Sequence, residues 1–317
     1  MDNFCLTIIV LVLFSSPIAR ANSSNNVDYI ERFNHIDSVI RSNSSSYKKN
    51  EKPGTLHIEE EFQLSRITNI VTYNNEMTQC IFGRDTGIIY QVFNKSLNKY
   101  LESSPDVASS ISIGDVSKNA LELLKKYDLH IPNGYELSSI NYSKYFHNCW
   151  ELRYSHYFEG YEYYEPNRAI EEGLLIAFSE EHGLLLFGLK HFAPHPLELK
   201  VDISRDEALL AGANSIPSFL NSPYFKNSNP GKYTTNELTG IDLKIIVPNW
   251  LNDSERAIWI RKELPDRSRL CWILEFHTKA ASRGQEEGDL QYGTSATSSL
   301  IIFVDAKSGE VLGGNFL

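Results

Sequence analysis

An internal repeat constrains the fold of this chain more than any other feature. Two amphipathic stretches open with the same Asp-x-Ser-basic pattern, at residues 115–118 and 202–205. Each is followed by a Cys-Trp pair inside a strand-like run, at residues 149–152 and 271–274, and each copy then ends in a hairpin around a glycine. Two copies of helix, strand and hairpin predict an α+β fold of tandem small modules, each an antiparallel sheet packed against a helix.

Local patterns predict the helix of each copy. Ser204 and Glu207 have the spacing of a capping box, in which the serine hydroxyl and the glutamate carboxylate each accept a hydrogen bond from a free backbone N–H group. In the earlier copy, apolar residues recur at helical spacing with charged residues between them: Val116, Ala120, Leu121, Leu124 and Tyr127. Each helix should therefore bury one face against a sheet and leave the other in water.

Alternation and turn chemistry predict the strands. After the first Cys-Trp pair, Trp150, Leu152 and Tyr154 alternate with more polar residues, as expected for a strand with one core face. Glycine adopts positive φ without steric cost, which short hairpin loops require. The predicted structural turns lie at Gly87, Gly183 and Gly309.

The N-terminal third is strand-rich but lacks both the Asp-x-Ser opening and the Cys-Trp pair, so it is left unassigned, with a degenerate third copy as one interpretation. We expect a helix at 27–40 and strands at 67–73, 78–82 and 88–93. The predicted domains are a signal peptide at 1–21, the N-terminal region at 22–112, and modules at 113–198 and 199–317. A long inserted loop is expected near 217–240, where Ser, Asn, Pro and Gly are frequent.

The first residues predict export. Residues 4–14 are apolar, and Ala19-Arg-Ala21 offers small residues for signal-peptide cleavage. The apolar run is shorter than the roughly 20 residues that a membrane helix needs, so no span is expected after cleavage. The mature chain should be extracellular, or periplasmic or at the cell surface in a bacterium. In a eukaryotic secretory route the Asn-x-Ser sequons would be glycosylation sites; they lie at Asn22, Asn43, Asn94, Asn141 and Asn252.

Charge and cysteine content exclude other classes. A net charge of −10 without a basic stripe argues against a nucleic-acid partner, because clustered Lys and Arg supply most of the affinity for phosphates. Loss of Cys5 with the signal leaves Cys80, Cys149 and Cys271, an odd number with no C-x-x-C spacing. Buried free thiols are favoured, and pairing of two of the three is the alternative.

The second two-thirds of the chain resembles a known family. Residues 153–163 and 174–187 are similar to the propeptide motif of fungalysin- and thermolysin-type secreted metallopeptidases, although His156 stands where that motif usually has glutamine. Residues 202–208, 243–248, 270–276 and 301–312 look like the PepSY module that follows it in those propeptides. The Val-Asp-Ala-x-x-Gly-Glu-Val ending is the most specific part of the resemblance.

The resemblance implies a PepSY/cystatin-like fold and a non-catalytic, peptidase-directed role. Such propeptides assist the folding of the attached peptidase and inhibit it. Because no peptidase domain follows in this sequence, we expect any such role to act in trans on a secreted peptidase. The alternative is an exported structural or ligand-binding module with a non-peptidase envelope or extracellular partner. Neither interpretation requires a cofactor.

Motifs of catalysis are missing from the sequence, which contains no H-E-x-x-H, G-x-S-x-G or P-loop pattern. One cluster is metal-like, but Pro194 breaks the helix that would align its last two members. This cluster consists of Glu180, Glu181, His182, His191 and His195. We expect neither an enzyme nor a metal site.

A tyrosine run is the best candidate for a partner surface, because tyrosine is enriched at interfaces where one end of the ring system is buried and the other is wet. Its members are Tyr157, Tyr161, Tyr163 and Tyr164.

Overall fold

The protein is described by a computed structural model that covers residues 26–44, 56–64, 67–84, 86–164, 173–190, 196, 198–220, 233–246, 258–260, 268–280 and 298–316. The expected signal peptide, Asn22 and Asn252 lie outside these residues. None of the described helices is long and apolar enough to cross a membrane.

Up to Lys190, the described residues form three helices and nine strands. In order they are α1 (Asn26–Ser44), β1 (His57–Leu64), β2 (Ile67–Asn74), β3 (Thr78–Gly83), β4 (Ile89–Asn94), α2 (Lys95–Glu102), α3 (Ile113–Lys126), β5 (Tyr135–Tyr142), β6 (Trp150–Phe158), β7 (Tyr161–Glu162), β8 (Gly173–Ser179) and β9 (Gly183–Lys190). The helix expected at 27–40 and the strands expected at 67–73, 78–82 and 88–93 are thus present.

These nine strands form one antiparallel sheet in the order β1-β2-β3-β4-β9-β8-β6-β5, with β7 paired to β6. The strands β4 and β9 join its two halves, with Val92 opposite Phe187. The boundary expected at 112/113 therefore does not separate two sheets, because the N-terminal region and the following segment share this ladder.

One apolar core lies under the nine-stranded sheet, and two helices contribute to it. Residues at helical spacing on α1 and α3 are buried because each helix turns one apolar stripe toward the strands. They are Tyr29, Phe33, Ile36 and Ile40 on α1, and Val116, Ala120 and Leu124 on α3. The pattern predicted for α3 is confirmed for these three residues and for Tyr127, but not for Leu121, which is 44% exposed because it lies beside the buried stripe and not on it.

The last part of the chain forms a second sheet of five strands. Its elements are α4 (Arg205–Leu220), β10 (Tyr233–Ile246), β11 (Ile258–Ile260), β12 (Arg269–Ala280), β13 (Ser298–Asp305) and β14 (Val311–Phe316), with strand order β10-β12-β13-β14-β11. The predicted capping box is present at the start of α4. The Ser204 N–H donates to the Glu207 carboxylate at 2.7 Å, and the Glu207 N–H donates to the Ser204 hydroxyl at 3.3 Å.

The loop expected near 217–240 is shorter at both ends than the sequence suggested. Pro217 lies inside α4, which continues to Leu220, and β10 begins at Tyr233. Pro217 lacks the backbone N–H donor of an interior helix residue, yet the helix continues for three residues beyond it. Residues 221–232 lie outside the described part of the chain.

The same order of elements occurs three times. Each of α1, α3 and α4 is followed by four strands that pair as an antiparallel meander: β1 to β4, then β5, β6, β8 and β9, then β10, β12, β13 and β14. We call the three stretches the N-terminal segment (26–94), the middle segment (113–190) and the C-terminal segment (205–316). The fold class is α+β with antiparallel sheets.

The turn glycines lie at equivalent places in the three segments: Gly87 and Gly309 lie between the third and the fourth strand, and Gly183 is the first residue of the fourth. Gly87, Gly183 and Gly309 have φ of 67, 87 and 74°. In the C-terminal segment the turn is also held by Asp305, whose carboxylate accepts the N–H groups of Lys307 at 3.0 Å and Ser308 at 2.9 Å. The Val-Asp-Ala-x-x-Gly ending thus forms the hairpin turn between β13 and β14.

Candidate interaction sites

The tyrosine run lies where the two sheets meet. After β6 the chain turns at Gly160, with φ of 85°, and β7 returns along β6. Tyr163 then forms a parallel bridge with Ile245 of β10, and the Tyr164 N–H donates to the Ile245 carbonyl at 2.7 Å. The backbone of the run therefore connects the nine-stranded sheet to the five-stranded sheet.

A stack of three rings supports this connection from the side of the first sheet. The ring of His156 lies 4.7 Å from that of Tyr135 and 4.5 Å from that of Tyr163, with interplanar angles of 7° and 10°. All three side chains are buried, and Tyr163 is only 4% exposed. The histidine that departs from the propeptide motif is therefore a packing element between two tyrosines.

The second sheet supplies the other half of the packing. Tyr163 belongs to an apolar cluster with Ile245, Leu270 and Ala306, and the ring of Tyr164 lies 5.3 Å from that of Phe303. At the rim, the Lys244 ammonium group lies 2.5 Å from a carboxylate oxygen of Glu162. These contacts join the two sheets through side chains as well as backbone.

The structure thus brings the four predicted tyrosines together but gives them internal contacts. Tyr157 and Tyr161 are half-buried, and Tyr161 also packs against the cluster around Tyr163. Burial raises the pKa of the Tyr157 hydroxyl, and the carboxylates of Glu162 and Glu136 add to the rise. A partner that contacts this run in the described conformation can reach only the half-buried side chains.

The metal-like cluster is engaged in other contacts. Glu180 accepts hydrogen bonds from the hydroxyls of Ser109 and Ser110, from the Ser110 N–H and from the Trp150 indole. Burial opposes ionisation of this carboxyl, but the hydrogen bonds outweigh it and lower the pKa of Glu180 to about 2. The ring of His182 packs edge-on against Tyr100 at 5.0 Å. His191 and His195 lie outside the described residues.

A metal site is not found among the residues that the structure describes, in which no three His, Cys, Asp or Glu side chains could hold an ion together. Two surface depressions also gather titratable groups. One, of about 280 Å³, includes Lys95, which donates to Asn74 at 2.5 Å; the other, of about 220 Å³, includes His35, whose ring nitrogen lies 3.1 Å from the Lys126 carbonyl. These contacts are structural.

A second site was not predicted from the sequence. Residues 104–110, between α2 and α3, are held by side chains of the middle segment, and we call them the clamped segment. Asn148 donates to the Pro105 carbonyl at 2.7 Å and accepts the Val107 N–H at 2.9 Å. The Tyr142 hydroxyl donates to the Val107 carbonyl at 2.8 Å. The N–H and the carbonyl of Val107 are therefore both hydrogen-bonded, while the residue as a whole is 54% exposed.

Further bonds hold the two ends of the clamped segment. A ring nitrogen of His147 lies 2.9 Å from the Ser104 carbonyl, and Glu180 binds Ser109 and Ser110 at the other end. Asn148 itself has φ of 53°, a conformation that costs less for asparagine than for most residues. The loop between β5 and β6 and the turn between β8 and β9 thus both bind the clamped segment.

The cysteines are buried free thiols, as favoured from the sequence. Cys80, Cys149 and Cys271 form no disulfide and have no exposed surface. Burial raises the pKa of the Cys149 thiol to about 12, with a further contribution from Glu151, and burial likewise raises the pKa of the Cys80 and Cys271 thiols. These thiols are neutral packing groups at physiological pH.

The described sequons differ in their suitability for glycans. Asn94 is buried, its side-chain oxygen accepts the Leu97 N–H at 2.9 Å as the N-cap of α2, and its amide donates to Leu184; glycosylation there is incompatible with this conformation. Asn43 is half-buried and donates to the Tyr127 hydroxyl at 3.3 Å. Asn141, half-buried on strand β5, makes only a long contact to Ser139 at 3.5 Å among its described hydrogen bonds.

Comparison with known proteins adds no assignment, since no protein-family model matches the chain and no curated protein matches it significantly. The fold defines the class as an α+β protein of antiparallel sheets.

Proposed function

We propose that this chain is an exported, non-catalytic protein of PepSY type that inhibits or chaperones a secreted peptidase in trans. The proposal combines the expected signal peptide with the resemblance to metallopeptidase propeptides. It rests on the residue pattern and the order of elements, and not on a family match.

The order of elements in the C-terminal segment is the observation that carries the proposal. A capped helix, α4, precedes a four-stranded antiparallel meander that closes in the Asp305 to Gly309 hairpin. The resemblance implies a helix, strands and closing hairpin in this order. The recurrence of the same order in the N-terminal and middle segments supports an origin in related modules.

The chemistry of the described polar groups supports a non-catalytic role. A general acid or base needs a carboxyl or imidazole that can reach a substrate proton. Here the strongest carboxylate networks serve the chain itself. Asp37 joins α1 to the turn after β2 through Asn75 and Thr78, at 3.0 and 2.6 Å. Asp305 holds its own hairpin and pairs with Arg269 at 2.9 Å.

A capture and inhibition experiment tests the proposal. The mature chain, residues 22–317, is immobilised and exposed to the proteins that the native host secretes, and retained proteins are identified by mass spectrometry. Any retained peptidase is then assayed with increasing amounts of the free chain and refolded in its presence and absence. Dose-dependent inhibition, or a higher refolding yield, supports the proposal.

Two results would count against the proposed function. A retained peptidase whose activity and refolding are unaffected by the chain contradicts a regulatory role. Retention of an envelope or extracellular protein with no peptidase activity favours the alternative, an exported structural or ligand-binding module. A chain boiled before immobilisation is the matched control, because binding by a folded surface is lost on denaturation whereas adhesion to exposed apolar chain is not.

A further inference from the structure

The clamped segment is bound to the middle segment in the way that a peptide ligand is bound to a protein. Each of the residues 104–110 is exposed or half-buried, so none of their side chains belongs to a buried core. Hydrogen bonds attach the segment instead, and the central ones go to main-chain groups. Asn148 bonds to the Pro105 carbonyl and the Val107 N–H, and Tyr142 bonds to the Val107 carbonyl. The middle segment thus recognises the centre of this stretch by its backbone.

Five side chains of the middle segment make these bonds, and we call them the recognition surface: Tyr142, His147, Asn148, Trp150 and Glu180. They come from the end of β5, the loop between β5 and β6, the start of β6 and the turn between β8 and β9. Contacts within the middle segment position several of them. The ring of Tyr142 lies 5.1 Å from that of Trp150, and the Trp150 indole donates to Glu180 at 2.9 Å. The Asn148 N–H donates to the Ser143 hydroxyl at 2.8 Å, and its φ of 53° is of the uncommon kind that clusters at functional sites.

We propose that the recognition surface is a peptide-binding site, which the clamped segment occupies as an intramolecular ligand and from which an extended peptide of the same pattern displaces it. The first part of that pattern is a carbonyl, an N–H and a carbonyl within three residues, as at 105–107. The second part is a pair of hydroxyls that Glu180 accepts, as from Ser109 and Ser110. This inference goes beyond the proposed function and does not depend on it.

The kind of contact explains why the bound segment is displaceable. Burial of apolar groups drives most tight association, and the clamped segment contributes no side chain to a core. Its hydrogen bonds replace hydrogen bonds to water, so their net contribution to affinity is modest. The surface is filled in the described conformation because a tethered segment has an effective concentration on the order of millimolar. A peptide in solution must compete with that tethered copy, and it should bind more tightly once the copy is removed.

The test measures binding of a fluorescently labelled peptide with the sequence of residues 103–111 by fluorescence anisotropy. It compares the full mature wild-type chain with a glycine form, in which each of the residues 105–110 is replaced by glycine. Asn148→Gly is then added to the glycine form, because glycine tolerates the positive φ at this position while the amide is lost. Asn133→Gly, at an exposed asparagine outside the recognition surface, is the matched control. A scrambled peptide of the same composition controls for adhesion, and melting temperatures show that each form is folded.

We expect the glycine form to bind the peptide roughly tenfold or more tightly than wild type, because the tethered competitor is gone. In the glycine form, Asn148→Gly should weaken binding roughly tenfold, since it removes the two bonds that a peptide would make to the amide, and Asn133→Gly should leave binding unchanged.

Three results overturn the inference: a folded glycine form that does not bind the peptide, equal binding by wild type and the glycine form, and equal binding of the scrambled peptide. If the glycine form does not fold, Val107→Pro takes its place, because proline removes only the N–H that Asn148 accepts. This variant should bind the peptide more tightly than wild type, and equal binding overturns the inference. None of these results bears on the proposed function, which the host peptidase decides separately.

Discussion

The nine-stranded and the five-stranded sheets are built from the same succession of a helix and four strands but complete their edges differently. In the first sheet, the last strands of the N-terminal and middle segments, β4 and β9, pair with each other. In the second, the last strand β14 pairs with β11, a strand of three residues. The first sheet is shared by two segments, and the second belongs to one.

The difference shows how an exposed final strand is managed. An unpaired strand edge is a template for unwanted association and is usually covered. The N-terminal and middle segments cover each other, and α1 and α3 then contribute to a common core. Among the residues that the structure describes, the C-terminal segment has no such partner, and β11, which lies between β10 and β12 in the chain, pairs with β14 instead. The short strand β11 therefore covers the edge of β14, as β4 and β9 cover each other in the first sheet.

The largest loss of stability should come from removing a large aromatic ring from the core of either sheet. Phe187 is 1% exposed in the core under the nine-stranded sheet, and Phe303 is fully buried in the five-stranded sheet. Either substitution by alanine should cost about 3 to 5 kcal/mol of the free energy of unfolding. Because the two rings belong to different cores, Phe187→Ala should expose amides of the first sheet and Phe303→Ala those of the second, as measured by hydrogen exchange. Uniform loss of protection in both variants would contradict separate cores.

Tyr163→Ala should have the next largest effect and should act on both sheets. Its ring stacks on His156 of the first sheet and packs against Leu270 of the second, so its loss should cost about 3 kcal/mol. Tyr161→Ala, which removes a half-buried ring two residues away, is the control and should cost less. The measurement is urea unfolding followed by near-ultraviolet circular dichroism. An equal loss in the two variants would show that the stack does not join the sheets.

Much of the fold could be predicted from local patterns. Helix spacing, the capping box and the hairpin glycines depend on residues a few positions apart, and α1, α3, α4 and the three turns appear where these patterns lie. The joining of β4 to β9 had no local signal, because Val92 and Phe187 lie far apart in the chain and alternation says only that each strand has a core face. For this reason the sequence did not predict that strands on the two sides of the 112/113 boundary pair in one sheet.

The candidate sites were less predictable. Tyrosine suits an interface and a core equally well, and its assignment depends on what lies opposite. The partner of Tyr163 is Ile245, on another sheet, which no pattern around residue 163 indicates. The clamped segment was missed because its bonds join residues 43 positions apart, as between Pro105 and Asn148. No pattern within that stretch indicated a contact with the middle segment.

Glu180→Gln should have a smaller and pH-dependent effect. The pKa of Glu180 is about 2 in the folded chain, against about 4.3 for an unfolded glutamate, so ionisation stabilises the fold above pH 4.3 and ceases to do so as the pH falls toward 2. Because Glu180 is half-buried and water screens part of its charge, we expect a loss of only about 1 kcal/mol at pH 7. Glu181→Gln, at a carboxylate 80% exposed, is the control.

The measurement for Glu180 is the melting temperature of both variants and the wild type between pH 2 and pH 7. The difference between wild type and Glu180→Gln should shrink as the pH falls through this window, and Glu181→Gln should follow the wild type throughout. A difference that stays constant with pH would mean that the carboxylate is not the ionised acceptor of the Ser109, Ser110 and Trp150 hydrogen bonds. The negative charge of Glu180 would then not contribute to holding the clamped segment.

The smallest expected effect compares the N-termini of two equivalent helices. Ser204 caps α4 through its hydroxyl, which accepts the Glu207 N–H, whereas Ser112 at the start of α3 makes no side-chain cap and donates to Asp115 instead. Ser204→Ala should therefore cost about 1 kcal/mol, the usual value of an N-cap, and Ser112→Ala clearly less. Chemical denaturation of both variants measures the difference. Equal losses would mean that the two helices begin alike in solution and that the capping box does not distinguish the C-terminal segment from the middle one.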